Sequence, residues 1–200
     1  MNSNSSFPLI LVDEGIEPIR KMKSTLILSF VLLFSLLPHY QDELEDDDTV
    51  ANFKAAFLFQ FATSNNWQNS GDSPEFTIGV LGGTAVYEAL VDKFSSKPIG
   101  SQNLVISTVE APEDLEGIQL LYISKTFTKS KGATETQKWI KLLKDQSVLV
   151  VTDDPKGLSW GGVINFKVVD NRIRYEVNAS EAKLHGVKIG SKIMSWAAQD

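Results

Sequence analysis

An α/β fold is what this sequence predicts: a layered mixed sheet flanked by helices, with a C-terminal antiparallel hairpin followed by short helices. Three observations predict it. Apolar patterns of period two alternate along the chain with patterns of helical period, as strand–helix units do. "SVLVVTDD", residues 147–154, is a nearly continuous apolar run of the kind found in central parallel strands. "GGVINFKVVDNRIRYEVN", residues 161–178, alternates on both sides of the turn dipeptide Asp170-Asn171 and reads as a half-buried hairpin.

In chain order, the first element is a leader. "KMKSTLILSFVLLFSLLPHYQ" places Arg20, Lys21 and Lys23 ahead of an apolar run from Leu26 to Leu37. About a dozen apolar residues suit the core of a signal peptide and fall short of the ~20 that span a bilayer. Translation is expected to begin near Met22, with residues 1–21 an upstream extension. No clear cleavage site precedes His39, so a cleaved signal and an uncleaved anchor both stand. Residues 1–40 are thus read as extension plus signal peptide or anchor, 41–49 as an acidic linker, and 50–200 as a single domain.

The domain opens on a helix. Asp47 or Asp48 supplies its cap, and Val50, Phe53, Phe57 and Phe61 recur at helical spacing to give one apolar face. "EFTIGVLGG" is a strand running into a glycine turn, and "TAVYEALVDKF" is the helix after it. "NLVISTVE" and "LLYIS" are strands. "ATETQKWIKLLKD" is a helix, with Thr134 as its cap and Gln137 three residues on. In the hairpin, Ile164, Phe166 and Val168 share a face with Ile173, Tyr175 and Val177, while Asn165, Lys167, Arg172, Arg174 and Glu176 take the other. Asn178 then caps a short helix, Glu181 completes a capping-box pattern and Gly186 closes it.

Composition excludes several function classes. The net charge of −6 is concentrated: six acids fall between Asp42 and Asp48, and from Thr49 onward 16 basic residues balance 16 acidic ones. A neutral body is no nucleic-acid footprint. The chain holds no cysteine, which removes disulfides, thiolate metal sites and cysteine nucleophiles together.

Candidate chemistry is sparse. "GVLGGT" sits between a strand and a helix, yet it lacks both the G-x-G-x-x-G spacing and the G-K-[ST] lysine. Gly82, Gly83 and Thr84 therefore read as a tight turn, with a small-ligand crevice at the strand ends as the alternative. His185 is the lone histidine of the body, and beside Gly186 it reads as a helix-end residue favoured by the dipole. No G-x-S-x-G elbow accompanies it. "DELEDDD" lacks the spaced ligands of a calcium loop. Trp160, in a Gly/Pro loop, caps the core edge or anchors a partner, and Trp67 raises the same choice. No catalytic residue, metal site or cofactor is expected, and the chain is not expected to be an enzyme.

Three blocks carry a resemblance to a known family. They are "FKAAFLFQFATSNNW" with Lys54, Ala55, Ala56, Phe57, Leu58, Phe61 and Trp67; "FTIGVLGG"; and the closing segment from Gly161-Gly162 to Ala197. The last is the most specific, combining Ile164, Phe166, Arg172-Ile173, Tyr175-Glu176, Asn178, Ala182 and Lys188 to Lys192. Over Val50 to Ala197 the chain resembles the YfiR/HmsC-like periplasmic regulators. The resemblance implies a non-catalytic α/β domain in the periplasm that binds the periplasmic part of a membrane-bound diguanylate cyclase and holds it off. That would lower cyclic-di-GMP signalling and biofilm formation. A sensor kinase is the other membrane partner it implies, and a homodimer is a further assembly. The expected partner-binding residues are Arg172, Arg174, Glu176, Lys188 and Lys192, with Trp160. The alternative function is a periplasmic small-ligand sensor using Gly82, Gly83 and Thr84 and feeding a kinase or cyclase. Relatives often carry proline where this chain has Gln68 and apolar residues where it has Ser64 and Asn65. Without cysteine, the disulfide-based redox control of some relatives is excluded here.

Overall fold

The computed structural model describes residues 48–65, 67 and 73–198, so the extension, the leader and the acidic stretch as far as Asp47 lie outside them. Helix α1, Asp48–Ser64, opens the domain and already includes the last residues of the acidic segment. It is followed by β1 Glu75–Leu81, α2 Thr84–Phe94, β2 Asn103–Thr108 and β3 Ile118–Ile123. Then come α3 Lys125–Lys131, α4 Ala133–Leu142 and β4 Leu149–Thr152. The hairpin strands β5 Ile164–Val169 and β6 Arg172–Val177 precede the short helices α5 Ala179–Leu184 and α6 Ser191–Trp196. Short 3-10 turns, Pro112–Leu115 and Gly157–Trp160, interrupt the loops.

The six strands form one sheet in the order β2-β1-β3-β4-β5-β6. All neighbours run parallel except β6, which lies antiparallel on β5. This is the layered mixed sheet that the alternating pattern predicts. All four residues of β4, the strand read as central and parallel, are buried.

Successive side chains of the inner strands face opposite sides of the sheet and feed two cores. Phe76, Ile78, Leu120, Tyr122, Leu149 and Val151 join α1 and α2 on one side. Leu121, Ile123 and Val150 join Trp139, Ile140 and Leu143 of the α4 region on the other. The first core is aromatic-rich. Tyr175 meets Phe61 edge-on at 4.9 Å and Phe57 at 5.4 Å, and Phe61 lies 5.9 Å from Phe166. Such pairs contribute about 0.5–1.5 kcal/mol each beyond the area they bury.

The buried face of α1 differs from the expected phenylalanine stripe. Ala51, Ala55, Leu58 and Ala62 form the row against the sheet, and Phe53 is turned out, 56% exposed. Phe61, fully buried, and Phe57, packed against the same core, keep the places the stripe assigns them, so the departure is confined to Phe53. Lys54 is carried into the interior on that same row.

Thr134 does not cap α4. Helix α3, which the sequence pattern did not reveal, runs up to Gly132, whose φ of 89° turns the chain directly into α4. Thr134 is left exposed inside the first turn, while Thr136 bonds back to the Gly132 carbonyl oxygen and shares a hydroxyl contact with Thr128. Ser124 is the cap that forms, accepting from Thr126 N–H at the start of α3.

The hairpin follows the expected register, with Phe166 opposite Tyr175 and Lys167 opposite Arg174. Asp170 and Asn171 take left-handed φ values of 49° and 55°, the geometry of a two-residue I′ turn. Asn178 caps α5, its side chain accepting from Ser180 N–H and Glu181 N–H at 3.1 Å. The reciprocal half of the capping box is absent, because Asn178 N–H donates to Val163 O at 2.8 Å. Glu181 Oε2 is instead buried without a partner among the described residues.

His185 does end α5, but its ring serves another purpose than a dipole contact. It is fully buried, with Nδ1 3.1 Å from Leu143 O and Nε2 3.1 Å from Gly161 O. It ties the end of α4 and the turn before β5 to the C-terminal helices.

Candidate functional site

Two regions present organised polar groups. The first is the outer edge of the sheet. Strand β6 has β5 on one side only, and on its far edge Ala198 N–H already donates to Tyr175 O at 2.8 Å, so the chain's own C-terminal segment covers the middle of that edge. Its alternation buries Tyr175 and turns Arg172 and Arg174 out to solvent. Neither arginine forms an ion pair with another described residue. Glu176 is only about a quarter exposed and is engaged across the strand pair by Lys167 Nζ at 3.0 Å, with Asn165 Nδ2 at 3.5 Å.

The buried face of the hairpin holds this row in place. Tyr175 Oη donates to Ile193 O at 2.9 Å, fastening β6 to α6, and burial pushes its phenol up to about 12. Lys188 and Lys192 are exposed on the segment that follows. The Lys192 ammonium lies 4.9 Å from the centre of the exposed Trp196 ring. Trp160 is half-buried and packs against the α4-side core, the opposite side of the sheet from the Tyr175 cluster. The structure thus places Arg172 and Arg174 in one exposed row, with Lys188 and Lys192 on later segments and Trp160 on the second core. Trp67 is a packing residue, its indole donating to Ala62 O at 2.7 Å and its ring edge-on to Phe76.

The second region is a crevice of about 350 Å³ over the C-terminal ends of β1, β3 and β4. Gly82, Gly83 and Thr84 form one wall, as the alternative reading expects. The glycines have structural reasons to be there. A Cβ on Gly82, at φ 76°, would lie 2.6 Å from Phe127 Cβ, and one on Gly83 would lie 2.9 Å from Tyr122 Cε1.

The opposite wall holds a buried polar cluster that sequence reasoning missed. Lys54 Nζ meets Asp153 Oδ2 at 2.6 Å, with both side chains nearly inaccessible. Tyr122 Oη donates to the same oxygen at 2.5 Å, and Lys125 N–H donates to Asp153 Oδ1. The signals were a lysine on the buried row of a helix and an aspartate directly after a wholly buried strand. Their partnership spans 99 positions, which no local pattern reveals. The pair also borders a second crevice of about 340 Å³, lined on its far side by Ile173, Lys167 and Glu176 of the hairpin.

Among the described residues, no group of three or more His, Cys, Asp or Glu side chains is placed to hold a metal ion. Nor is any described helix long and apolar enough to cross a membrane.

A family model described as YfiR/HmsC-like matches residues 51–198, the domain from the first turn of α1 to the end of the described chain. The chain belongs to the YfiR/HmsC-like family. No curated protein matches it. Membership points to a periplasmic regulator of the cyclic-di-GMP pathway, in a family that is generally regulatory and known for protein–protein regulation. The match ends beyond the hairpin, α5 and α6, so every expected partner-binding residue lies within the YfiR/HmsC-like segment.

Proposed function

We propose that the protein is a non-catalytic periplasmic regulator that binds and inhibits the periplasmic part of a membrane-bound diguanylate cyclase. By holding the cyclase off, it lowers cyclic-di-GMP signalling and biofilm formation. The observation that carries this reading is the β6 edge. There Arg172 and Arg174 stand exposed in fixed register on a strand whose other face is locked by Tyr175. Charges on a regular element give register and specificity to a protein contact, and an acidic or carbonyl-rich partner face suits them. Lys188, Lys192 and the open part of Trp160 would extend the contact.

The test is capture of the detergent-solubilised cyclase, with its periplasmic domain, by the purified regulator. Reversing both charges, Arg172→Glu with Arg174→Glu, is expected to weaken binding at least about tenfold, since like-charge juxtaposition across an interface costs several kcal/mol. Capture unchanged by that double reversal, and by Glu176→Ala with Lys188→Ala, would remove the hairpin from the interface. Export is part of the same reading, with the signal beginning near Met22 and the domain following an acidic linker. Peptide mapping of the mature protein that found residues 1–21 intact would overturn that start.

A further inference from the structure

The crevice at the strand ends is not used by the hairpin contact. The chain leaves β1 toward β2 on one side and returns to β3 on the other. In open α/β sheets this reversal splays the following segments and leaves the crevice where small ligands bind. At about 350 Å³ it has the size of a small-molecule site.

Its lining carries charges of both signs, Lys54 and Lys125 with Glu88 and Asp153, but the buried carboxylate is already committed. Asp153 is satisfied, accepting from Lys54 Nζ, Tyr122 Oη and Lys125 N–H. Lys54 has only Asp153 as a partner among the described residues, which leaves ammonium hydrogens over in a side chain 7% exposed. A buried ammonium with spare donors is costly unless something accepts from it. Across the crevice, Gly83 precedes α2 as its N-cap and provides no side-chain cap, and the helix's first backbone bond is Tyr87 N–H to Gly83 O. Thr84, Ala85 and Val86 line the same crevice, and their amides precede that first intrahelical bond. Glu88, exposed at the rim one turn along α2, disfavours a multiply charged guest.

We propose that this crevice binds a small organic monocarboxylate, its oxygens accepting from the Lys54 ammonium and the first-turn amides of α2. Binding would be a function separate from partner capture, and it stands or falls independently of the cyclase reading.

The experiment is a titration of the whole protein, at constant ionic strength, with acetate, lactate and benzoate, and with phosphate and chloride as the other arms. Backbone amide resonances provide the readout. At least one carboxylate is expected to shift the Gly83, Thr84 and Ala85 amides saturably, with phosphate weaker and chloride without effect. The deciding variant is Thr84→Glu. An acid in the first turn favours the helix, so the protein should fold with an unchanged or higher Tm, while the added charge should abolish the carboxylate shifts. The double variant Lys54→Met/Asp153→Leu should lose them as well. No saturable shift with any carboxylate, equal or stronger shifts with phosphate, or undiminished shifts in Thr84→Glu would each overturn the proposal. Partner capture by the same variants shows separately whether the hairpin contact survives.

Discussion

The hairpin edge and the strand-end crevice are built from the same inventory of charged residues by opposite means. At the hairpin, the polar residues occupy one face of two consecutive strands, and their outward direction follows from alternation alone. Their partners are near neighbours and water. At the crevice, Lys54 and Asp153 come from the first helix and the end of the fourth strand, and both are withdrawn from solvent. Exposed charges cost the fold little and can be altered freely. Buried ones are coupled to the fold, so changing them disturbs stability before it disturbs anything else. This difference separates a surface suited to recognising a partner from a site suited to holding a ligand.

The largest expected effect breaks the buried pair. Asp153→Ala leaves Lys54 charged in the interior and removes the acceptor of Tyr122 Oη, and should cost about 3–5 kcal/mol in urea unfolding. Lys54→Met should cost less, because the Asp153 carboxylate keeps Tyr122 Oη and Lys125 N–H as donors. The double variant Lys54→Met/Asp153→Leu should be far milder than the sum of the two losses. A double variant as unstable as that sum would mean that the residues act separately, and the contrast with the hairpin would lose its basis.

What could be read from the sequence follows the same division. The hairpin, its I′ turn and the Asn178 cap rest on residues within a few positions of one another, and each pattern specified a geometry that the structure contains. Strand β4 announced its central place by having no polar face. The misreadings arose where distant packing decides. Phe53 obeyed the helical period, yet the alanine row of α1 set which side met the sheet. Thr134 carried cap chemistry, but α3 ends at Gly132 and leaves it no extended position to occupy. The Lys54–Asp153 pair and the His185 tie were invisible because their partners come from separate elements.

Tyr175 allows a pH test of how firmly the hairpin's buried face is held. Its phenol titrates near 12 in the fold, raised from 10 by burial. The neutral form is thus favoured in the folded state, and the unfolded chain gives up its proton first. The contribution is complete below pH 10, declines as the pH rises from 10 to 12, and is gone above that. The expected loss is about 3 kcal/mol across the window. Tyr175→Phe should flatten the decline relative to wild type, at the expense of the Ile193 hydrogen bond at neutral pH. Equal slopes for the two proteins would show that Tyr175 ionises freely.

A smaller effect separates true caps from apparent ones. Asn178→Ala removes the acceptor of two first-turn amides of α5 and should cost about 1 kcal/mol. Thr134→Ala should leave the Tm essentially unchanged, since that hydroxyl caps nothing. Comparable losses from both would return the cap of α4 to Thr134.

The smallest stability effect belongs to the outer face of the hairpin itself. Lys167 and Glu176 lie 3.0 Å apart, each about a quarter exposed, with side-chain accessibilities of 28% and 25%. Water and salt reach such a pair, so Glu176→Ala should cost under about 1 kcal/mol at physiological salt, and less at 1 M, where screening is short-ranged. Its effect on cyclase capture should nevertheless exceed its effect on folding, because truncation removes the one carboxylate in an otherwise cationic row. A loss of stability above about 2 kcal/mol would place Glu176 with Asp153, as a group the fold depends on. Even binding at undiminished strength would then say nothing for the hairpin as a tolerant surface, and Arg172 and Arg174 alone would have to carry recognition.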